Sequence, residues 1–354
     1  MSQATMPASE PRIVLPEVGR IPAGWRIIGG KEFADHLLSI RFLLLLIMLG
    51  VLGVGTIYTV AGSIQAAASQ VSGARGVFLL LFTVNPSTSI SQSLPPFVQL
   101  VGFLGPLVGI AFGFNAINAE RSDGTLPRLL SQPVHRDDVI NGKFVAGLAV
   151  IALILGAVIV LVSAIGMLRL GLTPSGDDAL RLFTWYVMTV VYVGFWLALS
   201  MLCSVLFRNS GTAFFAVLAV WLVLTFFGSF IVDAISGTIA PVPNGATFQQ
   251  QLDHAVWQQN LARLTPNKLF SEMGQVILDP RVQTVDVQGL IQLRTTDRAI
   301  ATVLPYTQSL LIASTQLIGL IAMTAVCFAA AYIAFMRQEV RASARTSVRG
   351  RRRY

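Results

Sequence analysis

Few side chains in this sequence have the types and spacing that chemistry requires. His36, His135 and His254 stand far apart, and none shares a helix face with another candidate ligand, so they do not form a metal set. Cys203 and Cys327 each sit inside an apolar stretch, without the C-x-x-C spacing of a metal or redox site. No G-x-x-x-x-G-K-[ST] occurs; Gly29-Gly30-Lys31 and Gly142-Lys143 lack the remaining glycine spacing that cradles a phosphate. Paired carboxylates, H-E-x-x-H and a nucleophile beside its base are also missing from the pattern, which argues against a membrane-embedded enzyme. The expectation is a chain that is not an enzyme and binds no cofactor of its own.

One polar segment stands out: Glu120-Arg121-Ser122-Asp123-Gly124-Thr125-Leu126-Pro127-Arg128-Leu129-Leu130-Ser131-Gln132-Pro133-Val134-His135-Arg136. Thr125 can cap a helix in which Pro127 occupies the tolerated first turn and Pro133 marks the stop. On those two turns Leu126, Leu129 and Leu130 fall at i, i+3 and i+4, giving an apolar face outside the membrane. Such a face needs a partner. The chemistry expected here is docking, not catalysis.

The elements that must position this segment are membrane spans. Hydrophobic residues make up 54% of the 354 residues and charged ones only 12%, against about 25% charged in an ordinary soluble domain. Apolar runs occupy about 41–61, 97–118, 144–168, 182–207, 211–235 and 306–336. Each is long enough to cross a hydrocarbon core of roughly 30 Å at about 1.5 Å per residue. The fold class expected is therefore an all-α integral membrane protein with six transmembrane helices. A shorter run, Gly76 to Val84, is below spanning length and reads as a re-entrant or interfacial piece. Before the first span, a helix is expected to start at Lys31, after Gly29 and Gly30. It would place Phe33, Leu37 and Ile40 on one face and Lys31 and Asp35 on the other.

Lysine and arginine set the expected orientation. Basic residues crowd the N-terminal segment (Arg12, Arg20, Arg26, Lys31, Arg41), the loop after the second span (Arg121, Arg128, Arg136, Lys143) and the last tail (Arg337 to Arg353), whereas the first two opposite loops hold Arg75, Arg169 and Arg181. Both termini are thus expected in the cytoplasm of a cell whose inner membrane the chain crosses. Residues 1–30 read as a flexible cytoplasmic tail, 31–336 as the transmembrane domain and 337–354 as a basic cytoplasmic tail. The net charge of +8 is topological in this reading, and no basic stripe interleaved with aromatics suggests nucleic acid. Residues 236–305 carry balanced charge and are expected to form an extracytoplasmic subdomain. Within it, Leu269, Met273, Val276 and Ile277 recur at helical spacing after Pro266. No Asp, Glu, Lys or Arg lies at the middle of a span, which weighs against ion-coupled carriers.

The run from Glu120 to Lys143 resembles the E-x-x-x-G-T-L-x-x-L-L-x-x-P-[VI]-x-R segment of ABC-2 type transporter permeases. Lys31-Glu32-Phe33 to Arg41 looks like that family's amphipathic elbow helix, and Thr265 to Phe270 is similar to the segment before its last span. The resemblance implies six spans behind an elbow helix (Lys31, Glu32, Phe33, Leu37, Ile40, Arg41). It also implies a cytoplasmic coupling helix that docks on an ABC-type ATPase through Glu120, Gly124, Thr125, Leu126, Leu129, Leu130, Pro133 and Arg136. ATP and Mg would be bound by that separate ATPase, and a second permease copy or homologue would complete the bundle. Pro127 and His135 depart from the family's usual residues, a helix former and a small hydroxyl residue. The function implied is export of a substrate that the sequence does not name. The rival is a membrane anchor or mechanical transmitter acting on an extracytoplasmic partner through residues 236–305.

Overall fold

Away from water, backbone N–H and C=O groups find partners only within a helix or a closed sheet, so long apolar runs become helices. A computed structural model of the chain describes residues 24–70, 78–83, 95–122, 124, 135–171, 173–282, 284–287 and 304–337. Among the described residues six helices are long and apolar enough to cross a membrane: Ile40–Thr59, Phe97–Ser122, Arg136–Leu170, Gly176–Leu206, Ser210–Ile239 and Tyr306–Arg337. No strand occurs among them. The chain is an all-α multi-pass membrane protein, and its six spans coincide with the six apolar stretches.

In chain order, α1 (Gly24–Leu37) precedes α2 (Ile40–Gln70), and α3 (Leu80–Thr83) is a single turn. The second span comprises α4 (Phe97–Gly113) and α5 (Asn118–Ser122); α6 (Arg136–Leu170) and α7 (Gly176–Leu206) follow. The fifth span is α8 (Ser210–Leu222), a π-helical turn at Val223–Phe227 and α9 (Gly228–Ile239). After α10 (Phe248–Ala262) and α11 (Pro266–Leu278), α12 (Tyr306–Arg337) forms the last span.

The bundle is organised around α7, which packs on α4, α6, α8, α11 and α12. Ser175 and Asp178 start it with a capping box: each side chain accepts the other's backbone N–H, at 3.2 Å and 3.0 Å. The α4–α7 contact is a backbone contact. A Cβ on Gly109 would stand 2.6 Å from the Val193 carbonyl oxygen, and one on Gly113 would stand 2.6 Å from the Ser200 Cβ, so only glycine permits this approach. Pro106 interrupts α4 and has no N–H for the carbonyl four residues earlier, that of Gly102. The Tyr192 hydroxyl of α7 donates to the Gly102 carbonyl at 2.7 Å and satisfies it. The neighbouring helix thus supplies what the proline removes.

Leu269, Met273, Val276 and Ile277 are all buried on α11, as their spacing predicts. This helix is wedged among α4, α7 and α12. Its Phe270 stacks on Tyr192, with ring centroids 4.4 Å apart and planes 15° from parallel. Tyr192 lies halfway along α7, so the N-terminal end of α11 reaches into the bundle. The short apolar run also turns inward: Phe78, Leu79, Leu81 and Phe82 are buried, and Phe82 meets Phe97 and Trp185 edge-on or tilted.

Candidate functional site

Of the residues that resemble elbow and coupling helices, Glu32, Glu120 and Arg136 meet at one end of α6. The helix α1 lies against α6 where two glycines meet, since a Cβ on Gly142 would stand 2.9 Å from the Trp25 carbonyl oxygen and 3.1 Å from the Gly29 nitrogen. Gly29 is buried inside α1. The expected helix start at Lys31 is therefore corrected: α1 begins seven residues earlier, and Gly29 and Gly30 lie within it. Glycine weakens an isolated helix by roughly 0.5–1 kcal/mol relative to alanine, but packing against α6, where Gly142 leaves no room for a side chain, holds α1 together through both glycines.

That approach brings three charges together. Lys143, on α6, places its Nζ 2.8 Å from Glu32 Oε1 on α1 and 2.8 Å from Glu120 Oε1 on α5. The side chains are 5%, 15% and 14% exposed in that order. An ammonium in such a setting is held in place by its partners, because a buried cation without them costs several kcal/mol. The triad thus ties the preceding helix, the end of the second span and the start of the third into one unit.

Glu120 is the first residue of the polar segment, and Gly124 turns the chain out of α5. Gly124 has φ of 68°, and its N–H donates to the Arg121 carbonyl at 3.3 Å. A left-handed residue after a helix is the position glycine fills without a Cβ penalty. The glycine of the motif therefore has a backbone reason. At the far side of the segment, Arg136 opens α6, followed by Asp137 and Asp138 in the first turn, where carboxylates complement the helix dipole. Thr125, Leu126, Leu129, Leu130 and Pro133 lie outside the described residues, as does the expected coupling helix they would form.

Of the elbow residues, Lys31 and Asp35 form an exposed i,i+4 pair at 3.7 Å, while Phe33 and Leu37 are half-buried. Ile40 departs from the expected face: the chain turns at Leu38 and Ser39, and Ile40 opens α2 with its side chain 65% exposed. Ser39 makes that turn, donating to the His36 carbonyl at 2.6 Å and accepting from the Phe42 N–H at 3.3 Å. Arg41 reaches the second span, donating to Asn115 Oδ1 at 3.1 Å and lying 5.1 Å from the Phe114 ring centroid. His36 sits edge-on to Phe112 at 5.2 Å. Its imidazole titrates below the ordinary 6.5 because burial disfavours the charged form, although Glu32 opposes that effect.

Sequence reasoning counted Lys143 and Arg181 as topological charges and did not connect them to partners. Arg181 is fully buried at the opposite end of the bundle and donates to the carbonyls of Ile277 (3.2 Å) and Leu304 (2.7 Å), to Ser309 Oγ (3.0 Å) and to Asp177 (2.8 Å). Glu272, buried on α11, accepts from Arg263 at 2.8 Å and from Gln316 of α12 at 3.1 Å, with Lys268 at 3.6 Å. The carboxylate that stands among the spans thus comes from the connecting segment, and it is already paired. No group of three His, Cys, Asp or Glu residues that could hold a metal ion occurs among the described residues.

Comparison with known proteins extends the resemblance. A family model described as ABC-2 family transporter protein matches residues 26–340. The Pseudomonas aeruginosa protein named "Probable ABC transporter permease protein NosY" is 30% identical over 162 residues, 46% of this chain and 51% of that one. The Escherichia coli K12 protein named "Probable multidrug ABC transporter permease YbhR" is 29% identical over 186 residues, 52% of this chain and 42% of that one. The chain spans about half the length of these curated relatives. With a family match running from α1 past the last span, and six spans in the order that the family implies, this chain belongs to the ABC-2 transporter family.

Proposed function

We propose that this chain is the permease subunit of an ATP-binding-cassette transporter, exporting its substrate across the inner membrane with both termini in the cytoplasm. Energy comes from a separate ATPase that holds ATP and Mg and docks on residues 120–136. Two permeases, identical or homologous, share one pathway. Closure of the ATPase dimer on ATP drives rigid-body motion of the bundles. The observation that carries the reading is the Lys143 triad, which joins α1, α5 and α6 at the two flanks of the family motif. A push on that loop is delivered to three elements at once. The same triad suits the elbow and coupling roles given to Lys31, Glu32, Phe33, Leu37, Arg41, Glu120, Gly124 and Arg136.

The test is division of labour. Purified from its native membrane, the chain is expected to bring a P-loop ATPase with it and, stripped of that subunit, to hydrolyse no ATP above a mock preparation. Hydrolysis that follows this chain through purification would overturn the proposal. Orientation is read separately: cysteines at Ser131 and Ser347 are expected to resist an impermeant thiol reagent applied to intact cells, whereas one at Gln258 reacts. A second reading, a mechanical transmitter acting on an extracytoplasmic partner, draws on the exposed Phe248 and Trp257 of α10. Flux in proteoliposomes separates the two.

A further inference from the structure

A cavity of ≈ 920 Å³ lies between α4, the π-helical turn with α9, α10 and α11. That volume is in the range of small-molecule sites, about 300–1,000 Å³. It is built within a single chain, and its walls mix carboxamides with aromatic rings. Gln99, Gln258, Phe103 and Phe270 contribute, together with the carboxylates Asp233 and Glu272 and the ammonium of Lys268.

The two carboxylates are not equivalent. Glu272 is matched by Arg263 and Lys268. Asp233 accepts the Gln258 side-chain amide at 2.6 Å, and no basic residue forms an ion pair with it among the described residues. Asp233 also belongs to the fifth span, and an ionisable group on a span is tolerated where it faces a partner or a water-filled cavity. Here it lines one. Phe103 is 40% exposed and lines the same space, so a ring and a carboxylate with no ion-pair partner among the described residues share one cavity. A cation with an aromatic or aliphatic body suits both features, the charge through Asp233 and the body through the ring. A divalent metal does not, because it needs several clustered oxygen ligands of high charge.

Resting on the permease reading above, we infer that this cavity is a substrate subsite for monovalent organic cations, with Asp233 as the charge partner and Phe103 as the ring against which the body packs. The π-helical turn adjoins it through Leu224 and Thr225, and Gly228 follows at the start of α9. Such turns recur at functional positions inside helices.

Binding is measured on the purified full chain without its ATPase, using tetraphenylphosphonium and the isosteric anion tetraphenylborate as probes. The wild type is expected to bind the cation and not the anion. Asp233→Asn weakens cation binding by about tenfold or more, since a charge is lost with its shape retained. Ser229→Arg, at an exposed position on the cavity wall one helical turn before Asp233, pairs with that carboxylate and abolishes cation binding, which gives a readout independent of whether Asp233→Asn folds. Asp253→Asn, on α10 but away from the cavity and bonded to Gln249, leaves binding unchanged. A wild type that takes both ions or neither, or an Asp233→Asn chain that binds as the wild type does, overturns the inference. Failure of ATPase association would sink the permease reading without altering any of these binding results.

Discussion

Lys143 and Glu120 lie 2.8 Å apart although they are the last and first charged groups of the stretch that carries the family motif. The loop of the family motif is therefore pinned at its base by an ion pair between its two flanks, and Glu32 adds α1 to the same ammonium at 2.8 Å. Removing the cation alone is the severe change. Lys143→Met leaves two shielded carboxylates without it and is expected to cost about 3–5 kcal/mol. Combining it with Glu32→Gln and Glu120→Gln removes the charges and recovers most of that loss. Thermal unfolding in detergent, followed with a thiol-reactive dye as buried Cys203 becomes accessible, gives the comparison. A triple variant no more stable than Lys143→Met would show that the charges are not what holds this junction.

Packing of α1 is predicted to depend on Gly142 of α6 and not on Gly30 of α1. Gly142→Val puts carbon within 2.9 Å of the Trp25 carbonyl, and overpacking of this kind costs typically about 1–3 kcal/mol. Gly30 meets nothing within 4 Å of a built Cβ, so Gly30→Ala is expected to stabilise by roughly 0.5–1 kcal/mol through helix propensity. Opposite signs in the two melting shifts are the expected result. Equal destabilisation by both would place α1 elsewhere than against α6.

The His36 environment gives a pH dependence whose sign follows from linkage. Burial lowers its pKa from 6.5; Glu32 and Asp35 act to raise it, and Lys143 and Arg41 to lower it. The unfolded chain then binds its proton more readily than the folded one, so stability rises with pH through this window. The contribution is complete above the unfolded value of 6.5 and is lost as pH falls through the lower folded value. His36→Phe, which retains a ring against Phe112, is expected to show a smaller drop in melting temperature between neutral pH and pH 5 than the parent. Identical slopes would remove His36 as the source.

The spans were legible because a run of twenty apolar residues has few other fates, and the amphipathic face of α11 was legible because four residues keep helical spacing. Boundaries were legible only where apolarity and helix end together. The third span, expected at about 144–168, begins at Arg136 because its first two turns are polar yet helical. The fifth reaches Ile239 and contains a π-helical turn that hydropathy does not register. Pairings across the sequence were not legible at all. Glu32 and Lys143 are 111 residues apart, and nothing local to either names the other. Gly29 and Gly30 misled for a related reason: local propensity reads glycine as a helix stop, whereas packing against Gly142 of α6 carries α1 through both.

The leucines of the 120–136 segment carry the remaining prediction. Leu126, Leu129 and Leu130 fall at i, i+3 and i+4 on a loop outside the spans, and burying a leucine is worth roughly 1.5–3 kcal/mol. A face of three that is left in water forfeits this, so a partner surface is expected over it. Leu129→Asp with Leu130→Asp should therefore abolish retention of the ATPase during purification while the chain inserts at wild-type levels. Glu120→Ala is expected to act differently, because Glu120 is held by Lys143 within the same subunit. It should keep the ATPase bound but reduce substrate-dependent stimulation of its turnover, since the base of the loop is no longer locked to α6. Co-purification and turnover measured side by side at matched expression give the two readouts. If the double aspartate chain still holds its ATPase and couples as the wild type does, the docking surface lies elsewhere, and motion would have to reach the bundle by a route other than the Lys143 junction.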